Sequence, residues 1–304
     1  MMNRPPLYWQ SKLVLLLVVP AVAAGVVLQA RWWAVNIPLV AMWAMGLSVL
    51  LGLVAWKAGT ATPWAAATGT AIAASMAFST ATYPYMSWQT GLLPLLTLLV
   101  LTSLATRVGL ANQEEPEAAP PHGRNAAQVA ANLGVAALML HQSVLFALER
   151  AGVLQISVMK VHGLRGVFWS STIAFSLGLA ALAESAADTV SSEIGQVLGG
   201  APRLLTNWRK VEPGTDGAIS WLGTAVGSAA AALVAAAGAL ALRGGVEMFG
   251  IALGGGVFGL FFDSLLGATL ERKGWLNNDA VNFLSTLSAA GFALLLLLFL
   301  PHTN

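Results

Sequence analysis

The chain has 304 residues, of which 57% are hydrophobic and only 9% are charged. Soluble domains carry roughly 25% charged residues, so this composition excludes a soluble fold and indicates an integral membrane protein. The 15 basic and 13 acidic residues leave a net charge of +2, which does not favour nucleic-acid binding. The absence of Cys excludes thiol catalysis and sulfur-ligated metals.

About nine apolar segments are long enough to cross a ~30 Å hydrocarbon layer as helices. Leu and Ala run continuously in these segments instead of alternating with polar residues, which argues against an outer-membrane barrel. The sequence therefore predicts an all-α integral membrane protein, a polytopic bundle that forms a single membrane domain over residues 1–304. The segments lie near residues 13–30, 36–56, 62–82, 90–106, 126–148, 167–187, 217–242, 245–270 and 281–300.

The basic residues are distributed unequally between the two sides of this bundle. Ten of the 15 Lys and Arg fall on the side of the N-terminus, so the positive-inside rule predicts that this side is cytoplasmic. We expect the chain in the cell inner (plasma) membrane, with the first segment retained as an uncleaved anchor. The run 107–125, rich in Pro and Glu, is predicted to be a flexible cytoplasmic loop.

Two apolar segments contain acidic residues, which cost about 3 kcal/mol or more at the membrane centre and therefore indicate function. In residues 177–200, a spacing of about 100° per residue places Glu184, Asp188 and Ser192 on one stripe, whereas Glu193 points the other way. In residues 254–274, a second stripe contains one central acid and small residues that permit close approach. This stripe consists of Gly256, Gly259, Asp263, Gly267 and Glu271.

Amide side chains recur every four residues at the start of two further segments. Arg124, Gln128 and Asn132 open the fifth segment, and Asn278 and Asn282 open the ninth. All four polar stretches begin or end on the same side of the nine-span arrangement. The sequence therefore predicts one site at that side, with residues 188–216 and 254–282 as candidate active-site segments.

Cations and glycines lie together between the first acidic stripe and the seventh span. Arg203, Arg209 and Lys210 precede Gly214 and Gly217, whose backbone N–H groups can approach a phosphate closely. The pattern is not a Walker A motif, because GxxxxGK[ST] is absent. Positive-inside topology alone also accounts for the cations, and pairing of the acids with Arg107 or Arg124 is the structural alternative for Asp188 and Asp263.

Several of these motifs together resemble the membrane family called domain of unknown function 92, over roughly residues 45–300. The residues that carry the resemblance are DTVSSEIG at 188–195, KVEPGTDGAISWLGT at 210–224, DSLLGATLER at 263–272 and NNDAVNFLST at 277–286. The family includes a plant phytyl-phosphate kinase and human transmembrane protein 19. The run from Lys210 to Gly217 is also distantly similar to a motif of dolichol kinases and CDP-diacylglycerol synthases.

The resemblance implies a kinase that uses CTP or another nucleotide to phosphorylate an isoprenoid alkyl phosphate, such as phytyl phosphate, to the diphosphate. Phosphoryl transfer needs charge neutralisation and alignment, which the polar stretches can supply. We expect Asp188, Asp263 and Glu184 to hold Mg²⁺ and Lys210 to be catalytic beside both acids. The expected nucleotide- and phosphate-binding residues are Arg203, Arg209, Gly214, Gly217, Ser192, Asn132, Gln128, Arg124, Asn278 and Asn282.

Two other functions fit the same residues. A cytidylyltransferase that activates a lipid phosphate would use the same site with the opposite leaving group. A secondary transporter would bind a coupling ion at the acids, although the chain has no detectable inverted repeat and its acids lie near span ends. The sequence leaves open the donor nucleotide, the acceptor chain length and the oligomeric state.

Overall fold

The protein is described here by a computed structural model that covers residues 8–111, 123–141 and 164–299, with side chains in the last range from Thr172 onward. Nine α-helices lie in these ranges, one for each predicted apolar segment, so the all-helical membrane fold is confirmed. The helices are α1 (Tyr8–Asn36), α2 (Pro38–Lys57), α3 (Pro63–Thr80), α4 (Leu92–Ala111), α5 (Ala126–Leu140), α6 (Leu164–Leu198), α7 (Trp221–Ala241), α8 (Gly245–Leu266) and α9 (Asn278–Phe299).

Seven of these helices are long and apolar enough to cross a membrane; α3 and α5 are not among them. The 15 residues of α5 extend over only about 22 Å, less than the ~30 Å of the hydrocarbon layer. The prediction placed the end of this segment at residue 148, and residues 142–163 lie outside the described part of the chain. The predicted loop 107–125 also lies largely outside it, because α4 continues to Ala111 and the description resumes at residue 123.

Helix α6 is the central helix of the bundle. It packs against α4, α5, α7, α8 and α9, and its membrane-spanning part is almost entirely covered by protein. Gly255 and Gly259 of α8 allow this close packing, because an added Cβ would come within 2.7 Å of Ala180 and 2.5 Å of Glu184 respectively. This GxxxG spacing of small residues is typical of closely packed membrane helices.

Contacts between helix ends show that successive helices run in opposite directions. At one end, Gln10 of α1 donates a hydrogen bond to the carbonyl of Trp275, just before α9, and Thr106 of α4 donates to Glu193 of α6. At the other end, Arg243 after α7 donates to Gln89 before α4. The first of these ends, with Gln10, Trp275 and Glu193, is called the cavity end below.

The segment between α6 and α7 folds back on itself at the cavity end. Strand β1 (Arg203–Leu204) pairs antiparallel with β2 (Ala218–Ile219), with Arg203 opposite Ile219. The pairing closes residues 203–219 into a hairpin-like loop, which we call the 203–219 loop. Ser220 directly follows this loop. Its side chain caps the first turn of α7 by accepting a hydrogen bond from the Gly223 N–H.

Candidate active site

A cavity of about 240 Å³ lies at the cavity end, between α6, α8, the start of α9 and the 203–219 loop. It is called the acidic cavity below. Its wall contains residues of both predicted acidic stripes, together with Gly214 and Gly217, so residues far apart in sequence converge here as predicted. The wall consists of Asp188, Ser191, Ser192, Gly195, Gln196, Pro202, Pro213, Gly214, Thr215, Asp216, Gly217, Ala218, Ser220, Leu260, Asp263, Ser264, Glu271, Asn278 and Asn282.

The charge of this wall has one sign. Four carboxyl groups, those of Asp188, Asp216, Asp263 and Glu271, line the cavity, and none of the described lining residues is Lys, Arg or His. The charge of Asp188 acts on both Asp263 and Glu271, and Glu271 also feels the charge of Asp216. Because like charges this close repel each other, the cavity is suited to cations, and an anion requires cations in order to enter.

Glu184 lies beneath the acidic cavity, one turn before Asp188 on α6. It is only 1% exposed, and its carboxyl interacts electrostatically with those of Asp188 and Asp263. Oε1 of Glu184 and Oδ2 of Asp263 are buried without a hydrogen-bond partner among the described residues. Buried polar atoms in proteins are nearly always paired, so these two oxygens indicate a ligand or water that completes the site.

The small residues of α8 explain how Glu184 reaches this position. An added Cβ on Gly259 would lie 2.5 Å from Cγ of Glu184, and one on Gly256 would lie 3.1 Å from the Glu184 backbone nitrogen. The prediction that small residues around Asp263 admit a close neighbour is confirmed, and that neighbour is helix α6 with Glu184. Ser285 of α9, which is also fully buried, interacts with both carboxyl groups.

A backbone contact fixes the 203–219 loop onto α8. Helix α8 continues into one turn of π-helix, Gly267–Glu271, which is frequent at functional sites. Gly217 has a φ of +70° and packs so tightly on this turn that an added Cβ would lie 1.9 Å from the Ala268 nitrogen. Gly214 also has a positive φ, but an added Cβ would meet nothing within 4 Å. Close packing therefore explains why position 217 requires a glycine. The backbone of Gly214 is instead accessible at the cavity.

The predicted amide residues occupy different positions. Asn278 and Asn282 line the acidic cavity, and Asn282 donates a 3.2 Å hydrogen bond to the buried Asn132 behind the wall. Gln128 instead forms a capping box with Asn125, in which each side chain accepts a hydrogen bond from the backbone of the other. The Gln128 side-chain oxygen is thus used at the start of α5, outside the described lining of the cavity.

The predicted cations lie around the acidic cavity and not in its described wall. Arg209 and Lys210 are exposed on the 203–219 loop, and Arg203 donates a hydrogen bond to the carbonyl of Trp208. Arg124 lies before α5, where burial lowers its pKa and the carboxylates of Glu193 and Asp188 raise it. The charge of Arg124 therefore acts on Asp188, one of the cavity acids, while Arg209 and Lys210 are exposed at the surface.

The oxygen donors of the acidic cavity suit Mg²⁺. Hard cations prefer oxygen ligands, and Mg²⁺ is commonly held by one or two carboxylates together with waters and substrate phosphates. Among the described residues no group of three His, Cys, Asp or Glu is placed to hold a single metal ion. A pair of carboxylates such as Asp188 and Asp263, one with a buried unpaired oxygen, fits this requirement. The assignment of Glu184 as a third ligand stays a prediction.

Sequence reasoning did not select several residues of the wall. Asp216 was not singled out, because it lies in a loop where no helical periodicity marks it, although it is an acid between two glycines of positive φ. Glu271 was noted on the α8 stripe without a role. Ser220 and Thr215 also line the cavity.

Comparison with known proteins identifies the family. A sequence model described as "Integral membrane protein DUF92" matches residues 46–290, so the chain belongs to this family of integral membrane proteins. No solved structure is significantly similar to the chain.

Three relatives match about a third of the chain each. A membrane protein of Methanocaldococcus jannaschii is 42% identical over 36% of this chain and 45% of its own length, and a membrane protein of Synechocystis is 34% identical over 38% and 45%. Protein VTE6, chloroplastic, of Arabidopsis thaliana is 32% identical over 36% of this chain and 34% of its own length. The chain thus spans less than half the length of these relatives.

Proposed function

We propose that this protein transfers the terminal phosphoryl group of a nucleotide, CTP in the first instance, to an isoprenoid alkyl phosphate such as phytyl phosphate. In this reaction the bond between the γ-phosphorus and the β–γ bridging oxygen breaks, and an oxygen of the lipid phosphate forms a new bond to the γ-phosphorus. The products are the lipid diphosphate and the nucleoside diphosphate. The observation that carries the proposal is the acidic cavity, with four carboxyl groups and no described basic residue in its wall.

An acidic cavity supports phosphoryl transfer because both substrates are anions that bind there only with cations. The transfer needs charge neutralisation and alignment and no covalent nucleophile, which agrees with a wall of carboxylates, amides and hydroxyls. We assign Asp188 and Asp263 to hold Mg²⁺, which when bound neutralises charge on the phosphates. Glu184 lies beneath Asp188 and Asp263 and interacts electrostatically with both carboxyl groups.

The other cavity residues orient the substrates. Asn278, Asn282 and Ser192 offer amide and hydroxyl groups inside the cavity, and Asn132 holds the Asn282 amide in place. Gly214 offers accessible backbone, and two long helices, α7 and α9, begin at the wall with Ser220 and Asn278. Helix N-termini favour phosphate, so these ends partly offset the acids for an anionic ligand.

The loop cations and the membrane account for the approach of the substrates. Lys210, Arg203 and Arg209 attract the nucleotide triphosphate from the aqueous side, while the hydrocarbon tail of the acceptor stays among the helices. We place the cavity end in the cytoplasm of a cell whose inner membrane holds the protein, because most loop cations lie at this end. The resemblance to a family that includes a plant phytyl-phosphate kinase supports an isoprenoid acceptor.

A position-specific label tests this proposal. Purified protein in detergent is incubated with Mg²⁺, phytyl phosphate or another polyprenyl phosphate, and CTP labelled at either the α- or the γ-phosphorus. The proposal expects the γ-label in the lipid product and the α-label in CDP. Transfer of the α-label to the lipid would instead identify a cytidylyltransferase, and no transfer with CTP, ATP, GTP or UTP would reject the enzyme. Replacing CTP with these nucleotides identifies the donor.

A further inference from the structure

We propose that a second cavity, at the opposite end of the bundle from the acidic cavity, binds the hydroxyl group of a membrane-soluble alcohol. The inference goes beyond the proposed function and does not rest on it. The cavity measures about 430 Å³ and lies near the ends of α1, α3 and α5; we call it the Gln29 cavity. Its described lining consists of Gln29, Trp32, Trp33, Phe78, Ser79, Ala81 and His141.

The Gln29 cavity lies at the level of the membrane boundary. Gln29 follows Gln10 of the cavity end on the same helix, and the segment between them rises by roughly 28 Å at 1.5 Å per residue, close to the ~30 Å of the hydrocarbon layer. Trp32 in the wall is 54% exposed, as is typical of Trp at a membrane–water interface. This position suits a ligand that is dissolved in the membrane and has its polar head at the boundary.

Three buried polar atoms of this wall have no hydrogen-bond partner among the described residues. They are Oε1 of Gln29 and both ring nitrogens of His141, Nδ1 and Nε2. The amide nitrogen of Gln29 donates a 2.9 Å hydrogen bond to Oγ of Ser79, which fixes the amide and leaves its oxygen unused. Because buried polar atoms in proteins are nearly always paired, these atoms indicate a ligand that supplies the missing hydrogen bonds.

A glycine of α1 gives the His141 ring its place beside Gln29. Gly25 precedes Gln29 by one helical turn and therefore lies on the same face of α1. An added Cβ on Gly25 would lie only 3.0 Å from Nε2 of His141, so a larger side chain would crowd the ring. The amide of α1 and the imidazole at the end of α5 thus converge on one cavity.

The hydrogen-bonding capacity of these groups selects the ligand. Oε1 of Gln29 only accepts, and a neutral imidazole offers one donor and one acceptor. A hydroxyl group matches, because it can donate to Gln29 and accept from the ring N–H of His141. A quinone, ester or ether has acceptors only and would leave the Gln29 oxygen unpaired. The described lining contains no Asp, Glu, Lys or Arg, so the cavity does not favour a phosphate or carboxylate head.

The rest of the wall is suited to an apolar chain or ring. Trp33 and Phe78 are buried, and Trp33 makes edge-on contacts with Trp32 and Tyr85, with ring centroids 4.8 Å and 5.9 Å apart. The volume of about 430 Å³ far exceeds the ~30 Å³ of one water molecule and falls in the range of small-ligand sites. A hydroxyl group on an apolar body therefore matches both parts of the wall.

Competitive photolabelling of the full chain tests the inference. The protein is purified in a zwitterionic detergent whose head group has no hydroxyl, labelled with a long-chain alcohol that carries a diazirine, and analysed by mass spectrometry of its peptides. We expect label in the peptides that contain Gln29, Phe78 or His141, and loss of this label with excess hexadecanol. Hexadecyl methyl ether, which cannot donate a hydrogen bond, should not compete. Phytol and diacylglycerol as further competitors distinguish an isoprenoid source of the hydroxyl from a glycerolipid source.

Two variants remove the polar groups and keep an apolar wall. We expect Gln29→Leu and His141→Leu to be labelled less, Gln29→Leu by about tenfold, because a buried hydrogen bond to the hydroxyl is lost. Asn36→Leu is the matched control, since Asn36 is an exposed amide at the end of the same helix, outside the described lining, and its replacement should leave labelling unchanged. Thermal unfolding shows which variants are folded, and the comparison of hexadecanol with its methyl ether on the wild type needs no variant.

Three results would overturn the inference. They are the absence of label from the peptides that line the Gln29 cavity, equal competition by hexadecanol and its methyl ether, and undiminished labelling of folded Gln29→Leu. These outcomes are separate from those of the proposed function. Alcohol binding in a protein that transfers no phosphoryl group supports the site and rejects the kinase, whereas phosphoryl transfer by a protein that is not labelled here supports the kinase and rejects the site.

Discussion

The side-chain amide of Asn282 donates a hydrogen bond of 3.2 Å to the amide oxygen of Asn132, which lies 150 residues earlier in the chain. Both side chains are buried, and the bond joins α9 to α5 directly behind the acidic cavity. Asn282 lines the cavity, whereas Asn132 is not among its described lining residues. Asn132 is thus a positioning residue that fixes the orientation of an amide inside the candidate active site.

This bond predicts a coupling between the two residues. Asn132→Ala leaves the buried Nδ2 of Asn282 without its acceptor, and we expect the free energy of unfolding to fall by about 1–3 kcal/mol. The double variant with Asn282→Ala should lose less than the sum of the two single losses, because no unpaired amide is left behind. Unfolding in detergent of the wild type, both single variants and the double variant measures the coupling. Strictly additive losses would show that the bond contributes nothing.

The contact between Gly217 and the π-turn predicts a steric effect. Gly217→Ala places a methyl group where the Ala268 backbone lies, so the 203–219 loop must leave α8. Gly214→Ala is the matched control, because it has a similar positive φ in open space and should cost only about 1–2 kcal/mol. We expect trypsin to cut after Arg209 and Lys210 faster in Gly217→Ala than in Gly214→Ala. Equal cleavage rates would argue that the loop is not held by this contact.

The position of Lys210 predicts a kinetic effect on nucleotide binding. Lys210 is exposed and lies outside the described wall of the cavity. Under the proposed function we therefore expect it to attract the triphosphate without contacting the phosphorus that is transferred. We expect Lys210→Ala to raise the KM for nucleotide by roughly tenfold, equivalent to about 1.4 kcal/mol, with little change in kcat. The effect should shrink with added salt, because screening acts over about 10 Å at 0.1 M.

Lys57→Ala is the control for that experiment. Lys57 is an exposed cation that ends α2 and packs over Trp56, away from the cavity wall. It should leave the KM for nucleotide unchanged. A large loss of kcat in Lys210→Ala, with KM unchanged, would instead place Lys210 at the reacting phosphate, as the sequence suggested.

The alternating helix directions predict the topology. Reporter fusions at Gly59, Arg107, Arg203 and Arg272 should all lie on one side of the membrane, because these positions are at or near the ends of α2, α4, α6 and the π-turn after α8. A fusion at Arg243, which contacts Gln89 at the other end of the bundle, should lie on the opposite side. The positive-inside rule assigns the first group to the cytoplasm. An opposite location for Arg203 alone would show that α6 does not span the membrane as proposed.

Hydropathy located the helices because most of them face lipid, and a helix that faces lipid must be apolar along its length. Helix α6 is an exception that shows the limit of hydropathy as a guide to helix length. The apolar segment predicted at 167–187 continues as α6 to Leu198, with Glu184, Asp188 and Glu193 inside the helix. The apolar window of α6 is covered by other helices, whereas Ser192, Gln196 and Leu198 in its last turns are exposed, so hydropathy alone ends the helix too early.

Periodicity located the acids and amides on helices but could not locate the loop residues. Asp188 and Asp263 recur on helical stripes, and the stripes meet at one cavity as predicted. Asp216 enters the cavity only because Gly217 packs on the π-turn, a contact between distant segments that no local pattern reveals. Gln128 shares the spacing of Asn132, but its side chain accepts a hydrogen bond from the Asn125 N–H and so completes the capping box at the start of α5.

The most direct measurement of whether the cavity acids are catalytic compares Asp188→Asn and Asp263→Asn with the wild type in two assays, run on the same detergent-purified samples. Asn keeps the shape of Asp but removes the charge that holds Mg²⁺, and it also relieves the repulsion within the acidic cavity. We expect an unchanged or higher melting temperature together with a loss of at least about a hundredfold, or 2.7 kcal/mol, in Mg²⁺-dependent transfer of γ-phosphate to phytyl phosphate. Variants that unfold at lower temperature would show that the acids are structural partners of a buried cation. Stable variants with full transfer activity would show that neither acid is catalytic.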